Sequence, residues 1–311
     1  MKRVLLIGTR DSQLAVWQAT LVKDELAKHN IESELVYIKS EGDIDLATPL
    51  YEIGVQGIFT RTLDAALLTN KIDIAVHSMK DVPTQLAKGI SQAAVLKRAS
   101  YKDIFVYKGE FSALNSELRT QNSKLVIATS SIRRKAQWLH RYPNHTVENL
   151  RGNVNTRLKK VKENNWNGAI FAAAGLERIH LRPENSIELD WMLPAPAQGA
   201  IMVVCRTNDE ATKEACSKLN DEATELCTKI ERDFLRTLMG GCSTPISALA
   251  IVEGDTIYFK GNIFSLDGKY FAGTEKKAQI ENASTLGVES GNEVLANGGN
   301  KIVEAIRYAT K

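Results

Sequence analysis

Leu125-Val126-Ile127-Ala128-Thr129-Ser130-Ser131-Ile132-Arg133-Arg134 decides the architecture of this 311-residue chain. Four apolar residues run into three small hydroxyl-bearing ones, and a helical pattern follows to about His140. That is a buried strand turning directly into a capped helix, the unit from which α/β domains are built. The same unit recurs on either side. Downstream come strand Thr146–Asn149, turn Arg151-Gly152, helix Val154–Glu163 and strand Ala169–Ala172, and Ile104–Tyr107 is a strand upstream.

An earlier unit of the same kind opens the chain. Val4–Gly8 reads as a strand, and Asp11 or Ser12 caps a helix to about Lys28 with Leu14, Leu21, Val22 and Leu26 inward. Strand Glu34–Ile38 follows, then a loop over 40–57 with Gly42, Pro49, Gly54 and Gly57, a length typical of lids. Helix Phe59–Leu68, strand Ile72–Val76, the stretch His77-Ser78-Met79-Lys80-Asp81-Val82-Pro83 and strand Ile90–Leu96 complete it. Strands alternating with helices predict a largely parallel sheet, with ligands beyond the carboxyl ends of the strands, where Lys80 and Asp81 sit.

Pro194-Ala195-Pro196-Ala197 is a rigid crossing between domains, and strand Ala200–Cys205 returns to the first unit. Crossings near 99–103 and 194–199 predict two hinged lobes, 1–98 plus 200–219 and 103–194, with a cleft between them. From residue 222 to 311 the pattern becomes α+β. A helix leads to Leu238-Met239-Gly240-Gly241-Cys242-Ser243-Thr244-Pro245, and three strands then meander through turns at Gly254-Asp255 and Asp267-Gly268 before two amphipathic helices. The glycine pair ends the helix and Pro245 stops it resuming, so Cys242 is presented on a tight loop.

The composition, 43% hydrophobic and 25% charged, is that of a soluble globular protein. Val4-Leu5-Leu6-Ile7 is too short for a signal-peptide core or a membrane span. Four cysteines without C-x-x-C spacing and five histidines without H-E-x-x-H argue against a zinc site and a disulfide framework, and the thiols are expected to stay reduced in a cytoplasmic setting. Between Arg133 and Lys162 nine basic residues accompany one acid, Glu148, a local net of +8 within a chain of +3. Such a concentration implies an anionic partner.

Arg133 and Arg134 stand in the first turn of a helix, where the macrodipole disfavours cations but attracts anions. Arg151-Gly152-Asn153, with Arg157 one turn on, repeats the arrangement, as does Thr9-Arg10-Asp11-Ser12. Three arginine-bearing helix starts converging on one cleft suit carboxylates or phosphates. Lys159, Lys160 and Lys162 read as a solvated outer face, His77 as a hydrogen-bonded structural histidine, and Lys80-Asp81 equally as an ion pair or a site. The tryptophans at 17, 138, 166 and 191 are too scattered to stack bases.

Thr9-Arg10-Asp11-Ser12, His77-Ser78-Met79-Lys80-Asp81-Val82-Pro83, Thr129-Ser130-Ser131-Ile132-Arg133-Arg134, Leu150-Arg151-Gly152-Asn153, Ala173-Ala174-Gly175-Leu176, Gln198-Gly199 and Gly240-Gly241-Cys242 occur in the order of one family. The chain resembles the hydroxymethylbilane synthases, or porphobilinogen deaminases, of tetrapyrrole biosynthesis. The resemblance is strong to about residue 250 and loose beyond. It implies two hinged α/β lobes like those of periplasmic binding proteins, with a small C-terminal domain carrying the cofactor cysteine. It implies a dipyrromethane cofactor bound as a thioether to Cys242, four porphobilinogens joined with loss of ammonia, and hydrolytic release of hydroxymethylbilane. Asp81 would stabilise the cation left when ammonia departs. Arg10, Ser12, Lys80, Thr129, Ser131, Arg133, Arg134, Arg151 and Arg157 would hold carboxylates of cofactor and substrate, and Gln198 would lie at the hinge. The implied protein is a cytoplasmic monomer without metal, nucleic acid or membrane partner.

The lid departs from the family. Val55-Gln56-Gly57-Ile58-Phe59 replaces a common Gly-Lys-Gly-Leu-Phe, Glu52 stands where a base is usual, and Thr62 replaces a frequent Glu beside Arg61. Two other readings stand beside the enzyme. A non-catalytic two-lobed anion-binding protein leaves Cys242 unexplained, and an RNA-binding protein lacks aromatic interleaving.

Overall fold

The central strands of the first sheet are largely buried on both faces, because helices cover both. Strands β1 (Leu5–Thr9), β2 (Ser33–Tyr37), β3 (Ile74–Ser78) and β4 (Ile90–Val95) join β10 (Ile201–Arg206) in the order β2-β1-β3-β10-β4. This is the arrangement in a computed structural model that describes residues 3–39, 60–110, 112, 123–239 and 244–309. The predicted lid over 40–57, with Glu52 and Gln56, and the cysteine loop at Cys242 lie outside the described residues. Helices α1 (Gln13–Lys28) and α2 (Arg61–Leu68) pack on opposite faces, α1 through Ala19, Val22 and Leu26, and α2 through Leu63 and Leu67.

The second sheet repeats the design. Strands β5 (Asp103–Tyr107), β6 (Val126–Ala128), β7 (Thr146–Glu148), β8 (Gly168–Ala172) and β9 (Ser186–Glu188) run in the order β7-β6-β8-β5-β9. Helix α3 (Ile132–Arg141) covers one face through Trp138, and α4 (Val154–Glu163) covers the other through Val161. Helix α5 (Ala173–Glu177) closes the lobe. Three residues make β9, too few for a periodic signal, so the sequence pattern passed over it.

Each sheet departs from the parallel expectation at the same place. Strands β1, β2 and β3 are parallel, but β10 is antiparallel to both β3 and β4. Likewise β5 is antiparallel to both β8 and β9. The inserted strand in each case is the one that has just crossed from the other lobe, so it enters from the opposite end. The two crossings touch. Ala99 N–H donates to the Gly199 carbonyl at 3.1 Å, and Gly199 has φ +89 with Ala99 and Ser100 carbonyls within 2.8 Å of where a Cβ would stand. Only glycine lets the strands pass so closely.

After α6 (Glu210–Ser217) comes α7 (Glu222–Thr237), then the antiparallel strands β11 (Ile246–Glu253), β12 (Thr256–Phe264) and β13 (Phe271–Gln279). Helices α8 (Leu286–Val294) and α9 (Asn300–Ala309) flank a non-helical pair, Asn297 and Gly298. Ile230, Phe234, Ile257, Phe259, Leu286 and Ile302 form this unit's own core.

Glu231 on α7 joins this unit to both crossings. It is wholly buried and accepts from Arg98 Nη1 at 2.6 Å, from Ala197 N–H at 2.6 Å and from Ala250 N–H at 2.7 Å. Removing one member of a buried, hydrogen-bonded ion pair leaves the other desolvated and uncompensated, a loss of about 3 kcal/mol or more. Glu231→Gln is therefore expected to lower the urea midpoint strongly. Lys260→Gln, which breaks an exposed pair with Glu275, should move it by less than about 1 kcal/mol. Equal shifts would show that Glu231 is not the joint between the three units.

Candidate active site

Strand β3 ends in a 3-10 turn, Met79–Asp81, held from the sheet side by Met79 N–H to the Ala200 carbonyl at 3.0 Å. The turn sets Lys80 and Asp81 at the carboxyl edge of the first sheet. Lys80 Nζ donates to Gln198 Oε1 at 3.3 Å. Burial lowers its pKa to about 8 although the neighbouring Asp81 favours its charge. Gln198, on the second crossing, donates in turn to the Tyr101 carbonyl at 2.8 Å and to Asp103 Oδ1 at 2.9 Å.

Asp103 opens β5 and is fully buried. Arg133 Nη2 reaches its Oδ2 at 2.7 Å, while Arg134 Nη2 and Nε reach its Oδ1 at 2.8 and 3.1 Å. Two further donors find backbone, Arg133 Nη1 the Leu193 carbonyl at 2.7 Å and Arg134 Nη1 that of Ile170 at 3.0 Å, while Arg133 Nε has no hydrogen-bond partner among the described residues. Burial alone would raise the Asp103 carboxyl, but the two guanidiniums overcome it and hold the pKa at about 2. Both arginines of the first helical turn are thus engaged by an internal carboxylate that the sequence did not flag. A lone acid opening a strand carries no motif. The signal was indirect, since two adjacent buried guanidiniums require an anion somewhere.

The turn itself is as read. Thr129 is buried and its Oγ1 accepts from Ser131 N–H at 3.2 Å, and Ser131 caps α3 through Arg134 N–H at 3.4 Å. Ser12 occupies the N-cap of α1 with the extended backbone usual there, φ −68 and ψ 142, but against expectation makes no side-chain capping bond. At the third helix start Asn153 caps α4 through Thr156 N–H at 2.9 Å, and Gly152 adopts φ +113. A Cβ on Gly152 would lie 2.7 Å from Thr156 Cγ2. Arg151 is buried and Arg157 donates through Nε to the Gly152 carbonyl at 2.7 Å. Burial lowers the Arg157 pKa to about 10, Arg134 and Arg151 add to that, and Asp81 opposes it.

These fields cross the cleft. Lys80 of the first lobe senses Arg134, Asp103 and Arg133, and Arg157 of the second lobe senses Asp81. The α1 and α4 starts meet directly, Asn155 Nδ2 donating to Gln13 Oε1 at 2.9 Å. Arg10 lies near enough to His77 to disfavour its protonation. Lys160 is not on the outer face: its Nζ turns back to the Arg151 carbonyl at 3.2 Å, while Lys159 alone pairs outward with Glu163. Arg178 was not singled out by the sequence pattern. It is buried, donates to the Gly199 carbonyl at 2.7 Å and lies 5.7 Å over the Trp17 ring.

Comparison with known proteins gives one consistent answer. Residues 5–214 match the family model described as porphobilinogen deaminase, dipyromethane cofactor binding domain, and residues 225–296 match porphobilinogen deaminase, C-terminal domain. The porphobilinogen deaminase of Chloroherpeton thalassium is 40% identical over 99% of this chain and 99% of its own length. That of Trichlorobacter lovleyi is 40% identical over 97% of this chain and 96% of its own. Among solved structures, an ancestral cationic amino acid solute-binding protein aligns at 15% identity over 70% of this chain and 87% of its own, with a TM-score of 0.42, too low to carry an argument.

His77 differs from expectation in one respect. It is buried, but its Nε2 has no hydrogen-bond partner among the described residues, and burial lowers its pKa from 6.5 to about 4. The folded state thus holds a neutral imidazole, while the unfolded chain takes up a proton below pH 6.5. Stability from this group is complete above pH 6.5 and is lost as pH falls towards about 4, by about 3 kcal/mol. Urea titrations of His77→Gln should show a flatter acid limb than wild type over that window. An unchanged limb would assign the acid sensitivity to other groups.

Proposed function

The chain belongs to the porphobilinogen deaminase family, and from that premise we propose which of its residues carry the reaction. It is a hydroxymethylbilane synthase, a transferase that joins four porphobilinogens head to tail on a dipyrromethane primer, loses one ammonia per unit, and releases hydroxymethylbilane by hydrolysis. The observation that carries our site assignment is electrostatic. Lys80, Arg133, Arg134, Arg151 and Arg157 lie within one another's fields, with Asp103 and Asp81 among the carboxylates that act on them. Cations gathered in this way suit incoming carboxylates, and each pyrrole unit brings two.

When bound, dipyrromethane supplies the electron-rich pyrrole carbon at which the chain grows. We assign its thioether attachment to Cys242, and its carboxylates to Arg133, Arg134, Thr129, Ser131 and Lys80. Arg10, Ser12, Arg151 and Arg157 take the carboxylates of incoming porphobilinogen, the pairing of forked donors with carboxylates that geometry favours. Ser12 suits this role because its hydroxyl is not spent on the helix cap. When porphobilinogen sheds ammonia, its carbon–nitrogen bond breaks and positive charge spreads onto the pyrrole nitrogen. The half-buried Asp81 carboxylate, fixed at the end of β3, accepts that N–H and stabilises the charge. Gln198 ties Lys80 to Asp103 across the second crossing, so it lies where the lobes hinge.

We also assign the lobes to 1–98 plus 200–219 and 103–194, and the third domain to 222–311. Cys205, Cys216 and Cys227 are free and buried, as suits a reducing cytoplasm, and among the described residues no helix is long and apolar enough to cross a membrane. We place the protein there as a monomer whose partner is porphobilinogen.

Intact mass and single-turnover kinetics test the assignment together. Wild-type protein should carry the mass of two linked pyrroles, and Cys242→Ser the bare chain mass, since a hydroxyl is a far weaker nucleophile than a thiolate. On cofactor-loaded protein, Asp81→Asn should elongate about a hundredfold to a thousandfold more slowly, with Asp81→Glu between it and wild type. A loaded Asp81→Asn that elongates like wild type would reduce Asp81 to an ion-pair partner of Lys80.

A further inference from the structure

Arg232 lies on α7, the helix whose end leads to the Cys242 loop, yet its guanidinium points to the first lobe. Its Nη1 donates to the Val82 carbonyl at 2.9 Å and to that of Met79 at 3.4 Å, and its Nη2 donates to the Pro83 carbonyl at 2.6 Å. Those three carbonyls bracket Lys80 and Asp81. The turn closes on itself only through Val82 N–H to the Met79 carbonyl at 3.1 Å, and is held from behind by Met79 N–H to Ala200. Met79 is thus anchored to the sheet and to Val82, and the outer side of the turn is anchored by Arg232. A planar fork with several donors fits converging carbonyls, which an ammonium on a flexible stem meets one at a time.

The neighbouring cations of α7 do something else. Lys229 and Arg236 both pair with Asp233 on their own helix, at 2.6 and 2.7 Å. Arg232 alone among them leaves the helix for the loop that bears the carboxylate. Its reach spans 150 residues of sequence.

We propose that Arg232 is a positioning residue that locks the Asp81 turn to the helix presenting Cys242. Asp81 belongs to one lobe and Cys242 to the third domain. Other contacts join α7 to the first lobe, such as Gln92 to Glu225 at 2.7 Å, but Arg232 is bonded to the Asp81 turn itself, so it holds the backbone beside the carboxylate in register with α7. The inference rests on the assignment of Asp81 and Cys242 above. Arg232 touches no substrate atom in this account and acts through the backbone of the turn.

A misplaced catalytic group costs rate far more than binding, since displacement of about 1 Å can cost on the order of a hundredfold. Arg232→Met, checked by mass to carry the full cofactor, is expected to lose about tenfold to a hundredfold in kcat with KM within about twofold. Arg232→Lys should recover part of the loss, and Arg236→Met should match wild type. The deciding measurement is a double-mutant cycle with Asp81→Glu on loaded enzyme. If Arg232 acts through Asp81, the second substitution costs much less in the Arg232→Met background than in wild type. Additive losses, a raised KM at unchanged kcat, or a loss of thermal stability alone would overturn the proposal. Should Arg232→Met not fold, Arg232→Lys carries the same cycle. Failure of the underlying assignment is separately visible, because Asp81→Asn alone would then remain active.

Discussion

A single buried carboxylate makes this cleft possible. Two consecutive guanidiniums in the first turn of α3, both nearly inaccessible to solvent, face the positive end of the helix dipole and each other. Desolvation lowers Arg133 and would leave the pair untenable without a partner. Asp103 accepts from both and from Gln198, and so fixes three side chains at once. Because Asp103 begins the strand that has just crossed between lobes, the crossing geometry and the arginine geometry are the same geometry. One carboxylate between two guanidiniums leaves the group of three with a net positive charge.

The third domain is attached to each of the other units by a different kind of contact. To the crossings it offers Glu231. To the second lobe it offers β11 and the β12–β13 hairpin: Gln137 on α3 donates to Ser247 Oγ at 3.0 Å, and His140 Nδ1 lies 2.7 Å from the Gly268 carbonyl. Gln137 also exchanges two bonds with the Leu193 backbone, so the helix that carries Arg133 and Arg134 bears on the second crossing as well. To the first lobe the third domain offers Arg232 and the bond from Gln92 to Glu225 at 2.7 Å. The third domain is thus registered against both walls of the cleft. Hydrogen bonds, being directional, fix such a register more closely than apolar contact, which has no direction.

Much of this was legible before any coordinates. The strand-turn-helix units, the proline-bounded crossing, the return of β10 to the first sheet, the hairpins at Gly254-Asp255 and Asp267-Gly268, and the ordered family segments all follow from local pattern. Local pattern works there because turns and caps are decided by residues within four or five positions of one another. It fell short at Lys160, which helical spacing puts on an outer face but whose long stem folds back to the Arg151 carbonyl. At Ser12 the residue type suits a cap, yet the hydroxyl makes no capping bond.

The sequence by itself determined most of the element order, the two-lobed plan with a third α+β unit, and the family. The tertiary structure alone decided what the charged side chains face. Asp103 lies 31 residues from Arg134, Glu231 lies 133 from Arg98, and Val82 lies 150 from Arg232. Such pairings arise only when chain crossings have brought distant strands together. No periodicity or spacing encodes them, because the free energy that selects them comes from burying a charge beside its partner and not from the local backbone. The antiparallel strand in each sheet has the same origin: its direction is set by the lobe it arrives from.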